Sequence, residues 1–287
     1  MKELYGEGLA SHTDPESCAS SRKAGREALT GAHADGVLSR EMAGNQDADL
    51  VYSWGRQHWW MRHREHPLDL RGLRPPICTA LFEGDLLALV DHLKLEEVRL
   101  VAQSMGGWTC LNFTLSHPRR VLALVMASTG GAVDPNSLDA VDRENIESWS
   151  AAHVGTRADL LKRGIHPAAG ERMALENPAL QFLYREIDRL SIGLDKEALR
   201  AKGMASRTLP AADLKQLRVP VLFISGVEDA VFPPPEAAAL AKLVPGAKLE
   251  SVPEAGHSVY FQRPDIFNSL VSNFFEMHEG RSTSSLS

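Results

Sequence analysis

Cysteine is scarce, and its scarcity removes several architectures at once. Only Cys18, Cys78 and Cys110 occur in 287 residues. An odd count at irregular spacing supports neither a disulfide framework nor a thiolate zinc site. Long apolar runs are also missing: none approaches the ~20 residues that cross a bilayer, and the N-terminus has no secretory apolar core. A cytoplasmic protein with no membrane contact is the expectation. Positive charge is not in excess either. The chain has 31 Lys and Arg against 37 Asp and Glu, a net charge of −6, which argues against a nucleic-acid partner. The one locally basic stretch, 56-RQHWWMRHRE-65, reads as a solvated segment. His58, His63 and His66 cluster loosely, but no carboxylate stands at ligand spacing with two of them on one helix face, so no metal is expected. There is no G-x-G-x-x-G or P-loop, and no cofactor is expected.

What the chain does have is a core. Its apolar fraction of 44% is ordinary for a globular domain, and its length suits one domain with an insertion. Residues 1 to about 50 stand apart, rich in Gly, Ala, Ser, Glu and Arg. Such a stretch cannot bury enough apolar surface to offset the entropy of ordering it. It is expected to be a disordered leader, with a short helix over 23-KAGREAL-29. The sequence MKELYGEGLASHTDPESCASSRKAGREALTG resembles the short leader peptides found beside group II intron reverse transcriptases. That resemblance implies no enzymatic activity.

Beyond Pro67 a rhythm begins. 79-TALFEGDLLALVDHLKL-95 has helical spacing, 97-EVRLVAQ-103 reads as a buried strand, 106-GGWTCLNFTLSHP-118 as a helix and 120-RVLALVMAST-129 as a second buried strand. Helix and strand in alternation predict a mostly parallel, doubly wound sheet. Residues 131–209 break the rhythm with amphipathic helical stretches, 138-LDAVDRENIESWSAAH-153 and 179-ALQFLYREIDRL-190. They predict a helical lid inserted between two core segments, 51–130 and 210–280. The rhythm resumes with strands at 219-VPVLFISG-226 and 248-KLESVP-253 and helices at 235-PEAAALAKLVP-245 and 264-PDIFNSLVSNFFEMH-278. The tail 281–287 is polar and expected to fray.

Three residues carry the chemistry. Ser104 lies in 102-AQSMG-106, between a buried strand and a helix start. A turn there holds a side chain outward at the carboxyl end of the sheet, and it needs small residues two positions either side; Ala102 and Gly106 qualify. The N–H of Met105 opens the helix and can face a developing oxyanion. Asp229 and His257 each fall in a loop after a later strand, so a serine, an acid and a base arrive at one sheet edge in that order. A small-molecule substrate is implied. Trp108, Trp149, Phe182 and Tyr184 are candidates to line its pocket, although each taken singly reads as lid packing.

The stretches VRLVAQSMGGWTCLNFTLSHPRRVLALVMAST, VPVLFISGVEDAVFPP and PEAGHSVYFQRPDIFNSLVSNFF resemble the α/β-hydrolase superfamily. The nearest group is that of carbon–carbon bond hydrolases, enol-lactonases and small esterases. The resemblance runs from about Pro67 to His278. It implies Ser104 as nucleophile, His257 as base and Asp229 as the orienting acid. The stretch 69-DLRGLRPP-76 resembles the family's D-x-R-G-x-G-x-S loop, altered in its second half. The family's sheet begins with three strands before that loop, and an H-G motif after the third supplies a second oxyanion donor. Residues 1–66 contain no apolar strand run and no H-G motif, with Gly36 and Gly55 weak substitutes, so activity impaired by loss of the early strands and the second oxyanion donor is expected. An N-terminally truncated sheet with an exposed edge is therefore expected, and that edge favours a homo-oligomer. Two other readings stand beside the esterase or lactonase. One is an inactive, hydrolase-derived binding protein. The other is a cofactor-free, haloperoxidase-like oxidoreductase using the same triad.

Overall fold

Burial decides the sheet. Three mostly apolar strands are buried at every position: β3 (Val98–Gln103), β4 (Val121–Ala127) and β5 (Val221–Gly226). Strands covered on both faces belong to the middle of a parallel sheet with helices on each side. In the computed structural model, residues 48–53, 58–62, 79–189, 201 and 203–279 are described. The leader to residue 47, the helix expected over 23–29, Gly36, Gly55, Cys18, Cys78, the 69–76 stretch and the tail from residue 280 lie outside them.

The sheet has six strands in the order β2-β1-β3-β4-β5-β6. β1 (Ala48–Ser53) lies parallel to β3, with Leu50 opposite Leu100 and Ser53 opposite Gln103. β2 (His58–Arg62) returns antiparallel to β1 and forms the edge. β6 (Lys248–Val252) closes the other side, parallel to β5.

This corrects the expectation for residues 1–66 in two places. The leader's boundary near residue 50 cuts through β1, and the edge of β3 expected to be bare is occupied. The two strands are short and mix polar with apolar residues, ADLVYS and HWWMR. No sustained apolar run marks them, yet Val, Tyr and Trp are good strand residues, and pairing with a buried neighbour supplies the rest. The sheet edge on this side is β2 rather than β3.

Period-two alternation splits the core. Leu100, Ala102, Met126, Val221 and Phe223 face one side, against Leu86, Leu89 and Val90 of α1 (Thr79–His92), Leu111 and Phe113 of α2 (Gly106–Ser116) and Leu240 of α7 (Pro234–Leu243). Val101, Val125, Leu222 and Ile224 face the other, against Phe267, Phe274 and Phe275 of α8 (Pro264–Glu276). Helices on both faces make the sheet doubly wound, as the alternation of elements predicts.

Between β4 and β5 the chain leaves the sheet for α3 (Ala140–His153), α4 (Thr156–Lys162), α5 (Gly170–Glu176) and α6 (Pro178–Arg189). Asp139 starts α3 by accepting from the Asp142 N–H at 2.9 Å, a side-chain N-cap. The excursion is pinched at its base. Val133 and Leu209 form a parallel bridge, with the Asp134 N–H donating to the Leu209 carbonyl at 2.8 Å and the Leu209 N–H to the Ala132 carbonyl at 2.9 Å. A buried ion pair, Arg207 with Glu236, sits at the same neck, and Arg207 Nε also donates to the Val133 carbonyl at 2.9 Å. Burial pushes the Glu236 carboxyl up while the guanidinium pulls it back.

Candidate active site

Three loops at the carboxyl ends of β3, β5 and β6 build the site, where parallel sheets generally bind ligands. The first is the turn from β3 into α2. Ser104 has φ +53°, a left-handed conformation that costs a residue with a Cβ on the order of 1 kcal/mol. The turn is held by the Ser104 N–H donating to the Ala127 carbonyl at 3.0 Å and the Gly107 N–H donating to the Ser104 carbonyl at 3.0 Å. Tight packing brings α2 against the end of β4: a Cβ on Gly107 would lie 2.3 Å from Thr129 Oγ1. Met105 is the residue that opens α2, so its N–H belongs to the first turn, where backbone donors have no intrahelical acceptor.

The second loop carries Asp229, which is 1% exposed. Its Oδ1 accepts from the N–H groups of Val231 at 2.8 Å and Phe232 at 2.9 Å. These bonds fix the orientation of the carboxylate. The third loop carries His257, 5% exposed. Its Nδ1 stands 3.0 Å from Asp229 Oδ2 and 3.2 Å from Oδ1, and its Nε2 stands 2.9 Å from Ser104 Oγ. A carboxylate only accepts, so Nδ1 carries the hydrogen and Nε2 is left to accept from the serine hydroxyl. Residues 153 and 28 positions apart in sequence thus form one hydrogen-bonded line, an arrangement able to remove a proton from an alcohol as it attacks a carbonyl.

The two loops touch closely. The Glu228 N–H donates to the Ala255 carbonyl at 2.8 Å and the Val227 N–H to the Val252 carbonyl at 3.0 Å. Gly226 makes this approach feasible, since a Cβ there would lie 2.1 Å from the Gly256 carbonyl oxygen.

Several participants carry no local sequence signal. Gln103, beside the serine, donates through Nε2 to the His257 carbonyl at 2.8 Å. Gln262 joins the Gly256 N–H to the Ala168 and Ala169 carbonyls. Arg172 of α5 grips Glu228 through Nε at 2.9 and 3.0 Å and also pairs with Glu176 at 3.0 Å. Arg263 meets Glu176 at 2.9 Å, and both guanidiniums stand 3.8 Å from Glu254. Hydrogen bonds from Arg172 and Arg263 hold the Glu176 carboxyl below its usual range. The helical insertion is thereby fastened to the loops that bear Asp229 and His257.

Of the candidate lining residues, Tyr184 comes to the site. Its hydroxyl lies 2.9 Å from Ser258 Oγ, and its ring packs edge-on against Phe261 at 5.0 Å. Burial pushes its phenol well above the usual value. Trp108 is buried beneath the end of the insertion, where a Cβ on Gly203 would lie 2.2 Å from the indole and 2.9 Å from the Met105 side-chain methyl. The ring contacts of Trp149 and Phe182 are local. Trp149 stacks on His153 at 4.3 Å, and Phe182 is 57% exposed with Arg185 over its ring. Cys110 is buried in α2 with its thiol pushed up to about 12, so it holds its proton. Among the described residues there is no cluster of metal-ligating side chains and no helix long and apolar enough to cross a membrane.

Comparison with known proteins places the fold in a family. A family model for the alpha/beta hydrolase fold matches residues 67–264. A Bacillus subtilis (strain 168) protein, provisionally named 2-succinyl-6-hydroxy-2,4-cyclohexadiene-1-carboxylate synthase, is 28% identical over 224 residues, covering 74% of this chain and 77% of its own. A Comamonas testosteroni 2-hydroxy-6-oxononadienedioate/2-hydroxy-6-oxononatrienedioate hydrolase is 26% identical over 193 residues, covering 65% of each chain, slightly under two thirds of that relative's length. The solved enol-lactonase from Burkholderia xenovorans LB400 superposes with a TM-score of 0.53 at 22% identity, covering 77% of this chain and 78% of its own.

Proposed function

The chain belongs to the alpha/beta hydrolase fold family, and on that footing we propose that it is a serine hydrolase acting on a small ester, lactone or related carbonyl compound. Ser104 Oγ attacks the carbonyl carbon as His257 Nε2 takes its proton. The oxygen gathers negative charge facing the Met105 N–H at the start of α2. Collapse of the tetrahedral adduct breaks the bond to the leaving group, which receives the proton from His257. Water then attacks the acyl-serine by the same route in reverse. Asp229 holds the imidazole in the tautomer that keeps Nε2 free to accept.

The observation that carries this reading is the 2.9 Å contact of Ser104 Oγ with His257 Nε2, continued by the Asp229 carboxylate. It occurs at a serine held at positive φ, a backbone cost that an ordinary helix start does not require. The substrate class rests on the names of two similar proteins, a 2-hydroxy-6-oxononadienedioate hydrolase and an enol-lactonase. The inactive-remnant reading leaned on missing early strands and a missing second oxyanion donor; of these, β1 and β2 supply two strands beside β3.

Hydrolysis of p-nitrophenyl acetate by the wild type and by Ser104→Ala tests the proposal. Removing the nucleophile of such a triad drops kcat by about 10⁶, so the variant should sit at background. Equal rates for the two proteins would end the enzyme reading.

A further inference from the structure

Consider how the backbone around His257 is mounted. Three consecutive residues each make a hydrogen bond to a side chain from elsewhere in the fold. The His257 carbonyl is held by Gln103 of β3 at 2.8 Å, and the Ser258 hydroxyl lies 2.9 Å from Tyr184 of α6. The Gly256 N–H donates to Gln262 Oε1. Gln262 is more than nine-tenths buried. It sits on the helical turn Val259–Gln262 just after the histidine, and that turn is tied back by its own N–H donating to the Ser258 carbonyl at 2.9 Å. Its amide nitrogen points the other way, donating to the Ala169 carbonyl at 2.6 Å and the Ala168 carbonyl at 3.3 Å.

A primary amide accepts at one atom and donates from the other without carrying charge. Ala168 and Ala169 lie between α4 and α5, so this buried side chain spans from the histidine loop into the insertion. Gly256 is also the residue whose carbonyl approaches Gly226, three positions before Asp229. A shift of Gly256 therefore moves His257 relative to both Ser104 and Asp229.

We propose that Gln262 is a positioning residue for His257: it acts through the Gly256 N–H and makes the insertion part of the histidine's mount. The inference rests on the function proposed above, and its test separates the two. Positional errors of about 1 Å in a reacting group cost on the order of 10² in rate. Gln262→Ala should therefore cut the rate of Ser104 labelling by a fluorophosphonate at least tenfold and lower kcat with KM little changed. Gln262→Glu, as a buried protonated acid, keeps an acceptor for Gly256 and a donor for the Ala169 carbonyl and should recover most of that rate. Gln262→Met fills the same volume without either polar atom and repeats the comparison where the alanine protein does not fold.

A second readout does not depend on turnover. The His257 Nδ1–H proton resonance, identified by its loss in His257→Gln, should broaden or vanish in Gln262→Ala and persist in Gln262→Glu. Failure of wild-type labelling would overturn the hydrolase reading alone, and the resonance would still decide the role of Gln262. Labelling within twofold of wild type together with an unchanged resonance, even with a lowered melting temperature, would overturn the inference and leave Gln262 a merely structural residue.

Discussion

Gly226→Ala is the sharpest test of how the site is assembled. A methyl there would lie 2.1 Å from the Gly256 oxygen, 2.4 Å from the Ala255 oxygen and 2.8 Å from the Ala255 carbonyl carbon. All three are backbone atoms, so no side chain can swing aside. Relief requires the 255–257 loop to retreat by roughly 1 Å, and overpacking of this kind costs about 1–3 kcal/mol. The Glu228 N–H bond to the Ala255 carbonyl would stretch with it, adding about 1 kcal/mol. For a domain of this size the total corresponds to a fall in Tm of roughly 4–16 °C. The same displacement carries His257 away from Ser104 and should reduce kcat/KM for p-nitrophenyl acetate by about 10². Thermal melts and initial rates on the purified variant measure both. Gly155→Ala is the control, since nothing lies within 4 Å of that position; it should change stability by no more than about 0.5 kcal/mol. A wild-type melting temperature in Gly226→Ala would refute the close-approach reasoning. A lowered one with an unchanged rate would refute its link to the histidine.

Other consequences are equally concrete. Ser104→Ala and Ser104→Gly both remove the hydroxyl and should both be inactive. The glycine protein should be more stable by about 1 kcal/mol in urea titration, because only the alanine protein retains a Cβ at φ +53°. Glu236→Ala leaves Arg207 buried without its partner and should cost about 3–5 kcal/mol in urea. Lys242→Ala removes a cation that is 64% exposed from Asp142 and should cost under about 1 kcal/mol. Burial raises Asp85 to about 6, above its value in the unfolded chain. The folded state therefore holds this proton more tightly, and stability should fall as pH rises from about 4 to 6. Asp85→Asn should abolish that fall and be the more stable protein at pH 7.5 by about 1 kcal/mol, allowing for solvent screening at a partly exposed site. Urea midpoints at pH 4 and 7.5 measure the difference.

The strands β3 to β6 and the main helices follow from local pattern. Buried strands are rich in apolar residues, the outer strand β6 is a short run bounded by turn residues, helices need 3.6-residue spacing, and all of these signals lie within a dozen neighbours. β3 runs from Val98 where the sequence suggests 97, and α2 ends at Ser116, two residues short of Pro118. The first two strands escape this logic because an edge hairpin of five or six mixed residues owes its order to the neighbour it pairs with. Ser104, Asp229 and His257 could be singled out because each follows a strand, and chain order then implies a shared sheet edge. The structure brings the three into one hydrogen-bonded line. Gln103, Gln262, Arg172 and Gly226 could not be found that way. Their partners lie 154, 93 or 94, 56 and about 30 residues away, and a glutamine in a helical turn has no periodic or motif signature. The same limit applies to the lining residues. Aromatic content nominates four, but only packing separates Tyr184, hydrogen-bonded to Ser258, from Phe182, which faces solvent.

The pinch between Val133 and Leu209 has an evolutionary corollary. Where two chain ends already meet, the segment between them can be swapped for another of different length and shape without re-threading the sheet. Ancestors could thus have traded one cap for the next and changed what enters while the reacting groups stayed put. Here the trade has a condition: any replacement must still offer the Gln262 amide two carbonyls and the Ser258 hydroxyl a partner, which narrows the grafts that a protein engineer could exchange at this junction.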